Sequence, residues 1–261
     1  MTSPEIINNT AFETPASSEE DVSETRENSV FGRIKSVAKW TAVAGLSAVL
    51  LVHVSAFLMA FVQPGITPNM VGTLLTGTAL KKDGVALDEI SPNLVYAVIA
   101  AEDSKFCQHD GFDVEAIRSA IAEKQAGGRL RGASTITQQT AKNAFFWNGG
   151  SFARKAGEAW MAFVIEQSWG KRRIMEVYLN VAEWGDGIYG AEAAAQNRFG
   201  KSASDLSSYE AALLASVLPS PNKWRVDPPG NYVAGRAGTI QQRMGVVRRD
   251  GLAGCVYPSS D

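Results

Sequence analysis

Two acids in this chain sit where acids are seldom found. In the run SPNLVYAVIAAEDSKFCQHDGFD, residues 91–113, Ser91 is a helix-capping hydroxyl and Pro92 suits the first turn, where its missing N–H costs nothing. At about 100° per residue, Val95, Val98 and Ile99 share one stripe, and Glu102 falls on that stripe too. Burial and the negative end of the helix both disfavour a charged carboxylate. Its pKa should rise, which suits a proton acceptor or donor. Glu158 shares a helix face with Met161 and Ile165, and Arg154 and Lys155 precede it at helical spacing, close enough to hold it ionised. Surroundings that set two carboxylates apart let one site assign separate acid–base roles. Taken singly, a capping or salt-bridging glutamate accounts for Glu102, and an intrahelical ion pair for Glu158.

A second stretch suits an anion. Residues 124–134, KQAGGRLRGAS, form a basic, glycine-rich loop, and Thr135-x-x-Gln138 fits a capping box opening the helix ITQQTAKNAFF. Free N–H groups and a positive helix end face an anion at such a place, and Lys142, two turns in, adds a point charge suited to phosphate. An ordinary capped surface helix is the other account. Gly185-x-Gly187-x-x-Gly190 imitates a dinucleotide fingerprint, but no βαβ unit surrounds it, so it reads as a tight turn into the helix Ala191–Arg198.

The elements that must position these groups are mostly helices. Helical patterns run from Ser91 to about Arg249, ending in the amphipathic segment Tyr232–Arg249. Ser151 caps a helix that Phe152, Trp160, Met161, Phe163, Val164 and Ile165 should bury on most sides. Residues 1–32 carry seven acids and one arginine and read as a disordered acidic tail. Residues 33–63 hold a basic flank (Arg33, Lys35, Lys39) and then Thr41–Val62, 22 positions without a charge. At about 1.5 Å per residue that stretch exceeds the hydrocarbon core of about 30 Å. It reads as a single-pass anchor with the tail in the cytoplasm, because the basic flank lies on the N-terminal side. A cleaved signal peptide fits less well, since the preceding region is far too long. Residues 64–87 read as a linker, 88–250 as a compact, mostly helical domain and 251–261 as a C-terminal tail. A net charge of −2 gives no reason to expect nucleic acid. Cys107 and Cys255 are expected as unpaired thiols, with a pair as the alternative if the domain is exported, and His53 and His109, the only histidines, exclude a multi-histidine metal site.

These residues also form a recognisable series. Glu102-Asp103-x-x-Phe106-x-x-His109-x-Gly111-Phe112-Asp113 resembles the first motif of the peptidoglycan glycosyltransferases. Gly132-x-Ser134-Thr135-Ile136-Thr137-Gln138-Gln139 with Lys142-Asn143-x-Phe145 resembles the second. Arg154-Lys155-x-x-Glu158, followed by Lys171-x-x-Ile174-x-x-x-Tyr178-Leu179-Asn180, resembles the third. Gly187-x-x-Gly190 through Phe199-Gly200-Lys201, then Glu210-Ala211-Ala212, complete the order, and Arg236 stands where the family usually has arginine.

The resemblance implies a mainly α, lysozyme-like glycosyltransferase domain behind a single N-terminal transmembrane helix. It is similar to the monofunctional branch, because only a dozen residues follow Arg249. It implies lipid II as acceptor and lipid-linked nascent glycan as donor, joined β-1,4 with inversion and release of undecaprenyl diphosphate. Glu102 would be the base and Glu158 the second catalytic glutamate, kept ionised to orient the cations or hold a metal. Asp103, Phe106, His109, Ser134, Thr135, Thr137, Gln138, Lys142, Asn143, Arg154 and Lys155 would bind substrate. A divalent cation, Mg²⁺ or Mn²⁺, is expected, with Glu158 as its candidate ligand, and no organic cofactor. The bilayer and other proteins of wall synthesis or division are the expected partners, with the domain on the periplasmic side of the inner membrane. Between Asn148 and Ser151, where the family usually has a basic residue, this chain has Gly149-Gly150, which bears on donor affinity. A lysozyme-like hydrolase and a non-catalytic membrane-anchored scaffold that binds lipid II are the other readings. The basic groups favour a phosphate-bearing substrate over a neutral glycan.

Overall fold

The computed structural model describes residues 17–128, 132–147, 149–150 and 152–257, with side chains from residue 33 onward. The chain divides into two units, one through His53 and one from Val54.

The described part of the first unit belongs to one long helix, α1 (Ser17–Met59). The acidic segment expected to be disordered is thus helical from Ser17, and residues 1–16 lie outside the described residues. No proline or glycine falls between Ser17 and Phe31 to stop a helix that the apolar segment continues. The part long and apolar enough to cross a bilayer is Arg33–Met59, whose large side chains are mostly exposed, as a lipid-facing surface requires.

The second unit contains nine further α-helices and three short strands among the described residues. These are α2 (Pro68–Leu75), β1 (Lys81–Lys82), α3 (Pro92–Glu102), α4 (Val114–Gln125), α5 (Ile136–Phe145), α6 (Phe152–Ser168), α7 (Lys171–Val181), β2 (Glu183–Gly185), β3 (Ile188–Tyr189), α8 (Ala191–Phe199), α9 (Ser208–Val217) and α10 (Asn231–Arg249). α3 starts as its sequence dictates: the Ser91 hydroxyl accepts from the N–H of Asn93, and Pro92 opens the first turn. Leu94, Val95, Ala97, Val98, Ile99 and Ala100 are all buried, so α3 is a core helix. It packs against α9 and α10, while α5 packs against α6 and α7. Glu102, the last residue of α3, lies where these two helix groups meet.

Residues 64–87 are not a linker. Thr67 and Met70 are fully buried, α2 packs on α5, and β1 pairs in parallel with β3, Lys81 opposite Ile188. The N–H of Val85 donates to Asn180 Oδ1 at 3.0 Å, and Leu87 is fully buried. Short elements among glycines and prolines leave little periodicity to read, so long-range pairing decides them. Gly187, at φ +70°, makes the β2–β3 turn, and a Cβ there would strike the Ala79 carbonyl. The glycine series is therefore a hairpin feeding α8, as its context suggested.

Residues 251–257 also belong to the domain, because Val256 is fully buried and Cys255 is disulfide-bonded to Cys107, their Cα atoms 5.5 Å apart. The two thiols expected to be free are paired across 148 residues of sequence, a proximity that no local spacing reveals. The helix α6 departs from expectation in another way. Glu158, Met161, Ala162 and Ile165 are buried, but Phe152, Trp160 and Phe163 are exposed, leaving an aromatic face on the outside. Ser151, its expected cap, lies outside the described residues.

Where α1 ends, its carbonyls find side chains of the domain. Trp169 donates to the Ala56 carbonyl at 3.0 Å, and Arg173 donates to the carbonyls of Met59 (3.0 Å) and Val62 (2.6 Å). An arginine on these last carbonyls complements the negative helix end.

Candidate functional site

The C-terminal end of α3 presents Glu102 to α5 and α10. Gln139 Nε2 donates to Glu102 Oε2 at 2.9 Å, and Arg236 stands 3.9 Å from Oε1. Burial pushes the Glu102 carboxyl above its ordinary value; Asp103 adds to the rise, and Gln139, Arg236 and Lys142 oppose it. The upward shift expected from the helical wheel is thus present and has desolvation as its main cause.

Two cavities are lined by groups that touch Glu102, one by Gln139 and the other by Arg236. One, about 270 Å³, is lined by Gln139, Lys142, Asn143, Tyr178, Glu183 and Asn222 among others. The second, about 420 Å³, is lined by Ala101, Tyr232, Arg236, Thr239 and Arg243 among others. In the first, burial pushes the Lys142 ammonium down, as does Arg154 nearby, while Glu183 and Glu102 pull it back up. Lys155 is likewise lowered, by burial and then by Lys142 and Arg154. Three cations are thus gathered closely enough to disfavour one another, an arrangement that an added anion relieves.

Glu158 organises two of the three. It is 2% exposed and pairs through Oε1 with Arg154 and through Oε2 with Lys155 at 3.2 Å. The carboxylate is buried and Lys155 reaches it from an exposed position, so the pairing fixes geometry more surely than it adds stability. It does not suit the metal expected there, since both oxygens already face cations. Among the described residues no group of three or more His, Cys, Asp or Glu side chains gathers to hold an ion.

Several residues expected to bind substrate make contacts that hold the frame. Asp103 is buried and accepts from His109 Nε2 at 3.0 and 3.1 Å and from the N–H of Ile136 at 3.0 Å. The positive start of α5, expected to meet an anion, therefore meets the protein's own Asp103. Thr135 caps that helix and donates to the Gly111 carbonyl at 2.6 Å, and Gln138 closes the capping box. Thr137 is fully buried and donates to Glu166, which pairs with Lys171 at 2.8 Å. Phe106 is fully buried beneath the Lys171 ammonium. Ser134 is exposed at the end of the loop, whose residues 129–131 lie outside the described ones, and Asn143 and Lys142 do line the cavity. Replacing Asp103 with Ala should lower unfolding stability by about 1–3 kcal/mol, because Ile136 and His109 lose their acceptor. A denaturant titration reads it, and unchanged stability would remove Asp103 from the frame.

Sequence reasoning missed four groups at the site. Gln139, not its neighbour Gln138, reaches Glu102; it lies three residues before Lys142 on the same face of α5, a signal that was there to read. Tyr178 stands in the third motif but was not assigned to the site, and Glu183 and Asn222 come from distant parts of the chain and left no such signal. Burial pushes the Glu183 carboxyl up, with Asn222 and Lys142 opposing.

A helical domain that sets a largely buried carboxylate of raised pKa near a cluster of cations has the groups a transferase acting on an anionic substrate needs. The comparisons agree. Residues 68–245 match the model of the transglycosylase family. The chain is 52% identical over 215 residues to the biosynthetic peptidoglycan transglycosylase of Rhodospirillum centenum, covering 82% of this chain and 92% of that protein. It is 53% identical over 203 residues to the protein of the same name in Caulobacter vibrioides, covering 78% and 89%. With that of Shewanella oneidensis the identity is 46% over 215 residues, covering 81% and 92%. The chain belongs to the transglycosylase family, and its mainly helical domain is lysozyme-like.

Proposed function

We propose that the cleft polymerises lipid II into β-1,4-linked glycan strands. The coarser statement follows from the family: this is a peptidoglycan glycosyltransferase of cell wall synthesis. The finer reading rests on one observation, the cluster of Lys142, Arg154 and Lys155 whose member Lys142 also acts on the part-buried Glu102, which suits a diphosphate leaving group and which a neutral glycan would not need.

In this reading Glu102 takes the proton from the acceptor sugar's 4-hydroxyl as that oxygen bonds to C1 of the donor. The C1–oxygen bond to the lipid diphosphate breaks with inversion, and the leaving group carries away the electron pair as undecaprenyl diphosphate. The proton on Glu102 then passes to solvent. General-base assistance typically contributes about 10²–10⁴-fold. Lys142, Arg154 and Lys155 stabilise the charge that develops on the leaving oxygens. Glu158 holds Arg154 and Lys155 in place, and no step is assigned to a metal. Lys142→Met should weaken donor binding roughly 10–100-fold through loss of a charge-assisted hydrogen bond. A displacement assay with an unreactive lipid diphosphate reads it, and unaltered affinity would take Lys142 out of the anion site.

The location proposed is the outer face of the inner membrane, with α1 as a single-pass anchor. The disulfide supports an oxidising compartment. The basic flank before the apolar stretch supports an internal N-terminus. The exposed Phe152, Trp160 and Phe163 of α6 suit an interface with lipid, where the substrate's own lipid resides.

The test is incubation of the detergent-solubilised chain with labelled lipid II, with Glu102→Gln alongside. Long, muramidase-sensitive products from the wild type alone would support the reading. Lipid II bound but unpolymerised by both would indicate a scaffold, and shortening of isolated wall a hydrolase.

A further inference from the structure

We propose that Tyr178 and Gln139 form a two-link relay that keeps Glu102 oriented and ionised as the base, with Tyr178 as a positioning residue that acts through Gln139. The inference rests on the assignment of Glu102 above.

The chemistry turns on the two unlike ends of a glutamine amide. One end only donates and the other only accepts. Gln139 presents its NH₂ to Glu102 Oε2 at 2.9 Å, and its Oε1 faces the Tyr178 hydroxyl at 3.4 Å. A carboxylate is served by a donor; a carboxylic acid would be served equally by the amide oxygen. Whatever fixes the direction of this amide therefore biases the protonation state of Glu102. Tyr178 is the group that does so. It is fully buried in α7, and its hydroxyl is held neutral because burial pushes its pKa well above the ordinary value, with the charges of Glu102 and Asp103 adding to the rise. A phenol that stays protonated at every working pH remains a donor, and the acceptor it finds is Gln139 Oε1.

The other charged groups facing Glu102 cannot substitute. Arg236 on α10 stands off at 3.9 Å, Lys142 on α5 acts on Glu102 through its charge without a hydrogen bond to it, and Asp103 next in the chain pushes Glu102 toward the neutral form. Only the Gln139 contact is both short and directional among the described partners of Glu102. Removing the Tyr178 hydroxyl frees the amide to turn its oxygen toward Glu102, which favours the protonated acid and raises its pKa further. The acid limb of the rate profile must then move to higher pH.

The experiment is kcat and KM against pH for the full-length chain in detergent with labelled lipid II. The proteins compared are the wild type, Tyr178→Phe, Gln139→Leu and the double variant. Losing one net hydrogen bond corresponds to about one pH unit. Tyr178→Phe should shift the acid limb of kcat upward by about that much, giving a roughly tenfold loss on the limb that alkaline pH restores, with KM unchanged. Gln139→Leu should shift the limb at least as far, and the double variant no farther than Gln139→Leu alone. An unmoved limb with a uniform loss at all pH values, or additive shifts in the double variant, would overturn the relay and leave a packing role. If Tyr178→Phe is not recovered folded, Gln139→Leu decides by itself, since an unmoved limb there removes the link to Glu102. Failure of the underlying assignment looks different: Glu102→Gln would then polymerise normally.

Discussion

Glu102→Gln should lower the polymerisation rate by about 10²–10⁴-fold while leaving substrate affinity and fold intact. The isosteric amide keeps a carbonyl for the Gln139 amide to donate to, so the contact at 2.9 Å need not be lost, but it cannot take a proton. Because burial raises the carboxyl's pKa, the wild-type rate should climb with pH through a value above the ordinary glutamate range and then level. The same shift has a stability consequence of definite sign. The folded state holds its proton more tightly than the unfolded chain, so between the two pKa values stability falls as pH rises. At neutral pH the folded protein bears the cost of an ionised, half-desolvated carboxylate, which the glutamine variant does not. Glu102→Gln should therefore be as stable as the wild type at neutral pH or more so, and relatively less so in acid. Thermal unfolding of both proteins across that range, set beside their rates, checks the two statements at once. A variant that unfolds more easily at neutral pH would mean that Glu102 serves the frame, and its lost activity would then say nothing about proton transfer.

What the sequence made legible was what repeats locally. Ser91 and Pro92 begin α3, Thr135 and Gln138 close the capping box of α5, and the wheel of α3 carries Glu102 to an apolar setting, each as elementary rules require. The pairing of Glu158 with Arg154 and Lys155 was legible for the same reason, since all three lie within one turn of one helix. What stayed hidden depends on distant partners. Asp103 and the first N–H of α5 are both visible in the sequence, yet nothing local says that one satisfies the other. The same is true of Gln139 and Tyr178, brought together only by the packing of α5 on α7. The outward face of α6 misled in the opposite direction. Apolar residues around most of a helix read as a buried core helix in water, whereas next to a bilayer they can face lipid, and the pattern does not distinguish the two.

The disulfide is the long-range feature with the largest expected effect. Cys107 lies in the turn that follows Glu102, between the buried Phe106 and the His109 that holds Asp103, and Cys255 lies in the last described turns after α10. The bond closes a loop of 148 residues, and the chain-entropy account gives about 5 kcal/mol for a loop of that length. Removing native disulfides from small domains typically costs about 2–5 kcal/mol. For a domain of this size that corresponds to a fall in Tm of roughly 5–15 °C. The Cys107→Ser/Cys255→Ser double variant should show that fall, and reductant should lower the wild type to nearly the same Tm while leaving the variant unmoved. Catalysis should suffer less than stability at temperatures where the domain stays folded, because Asp103, His109 and the start of α5 still fix the turn from the other side. A wild type indifferent to reductant, and as stable as the double variant, would mean that the packing of Val256 and Ala253 already holds the C-terminal turns and that the covalent link is redundant.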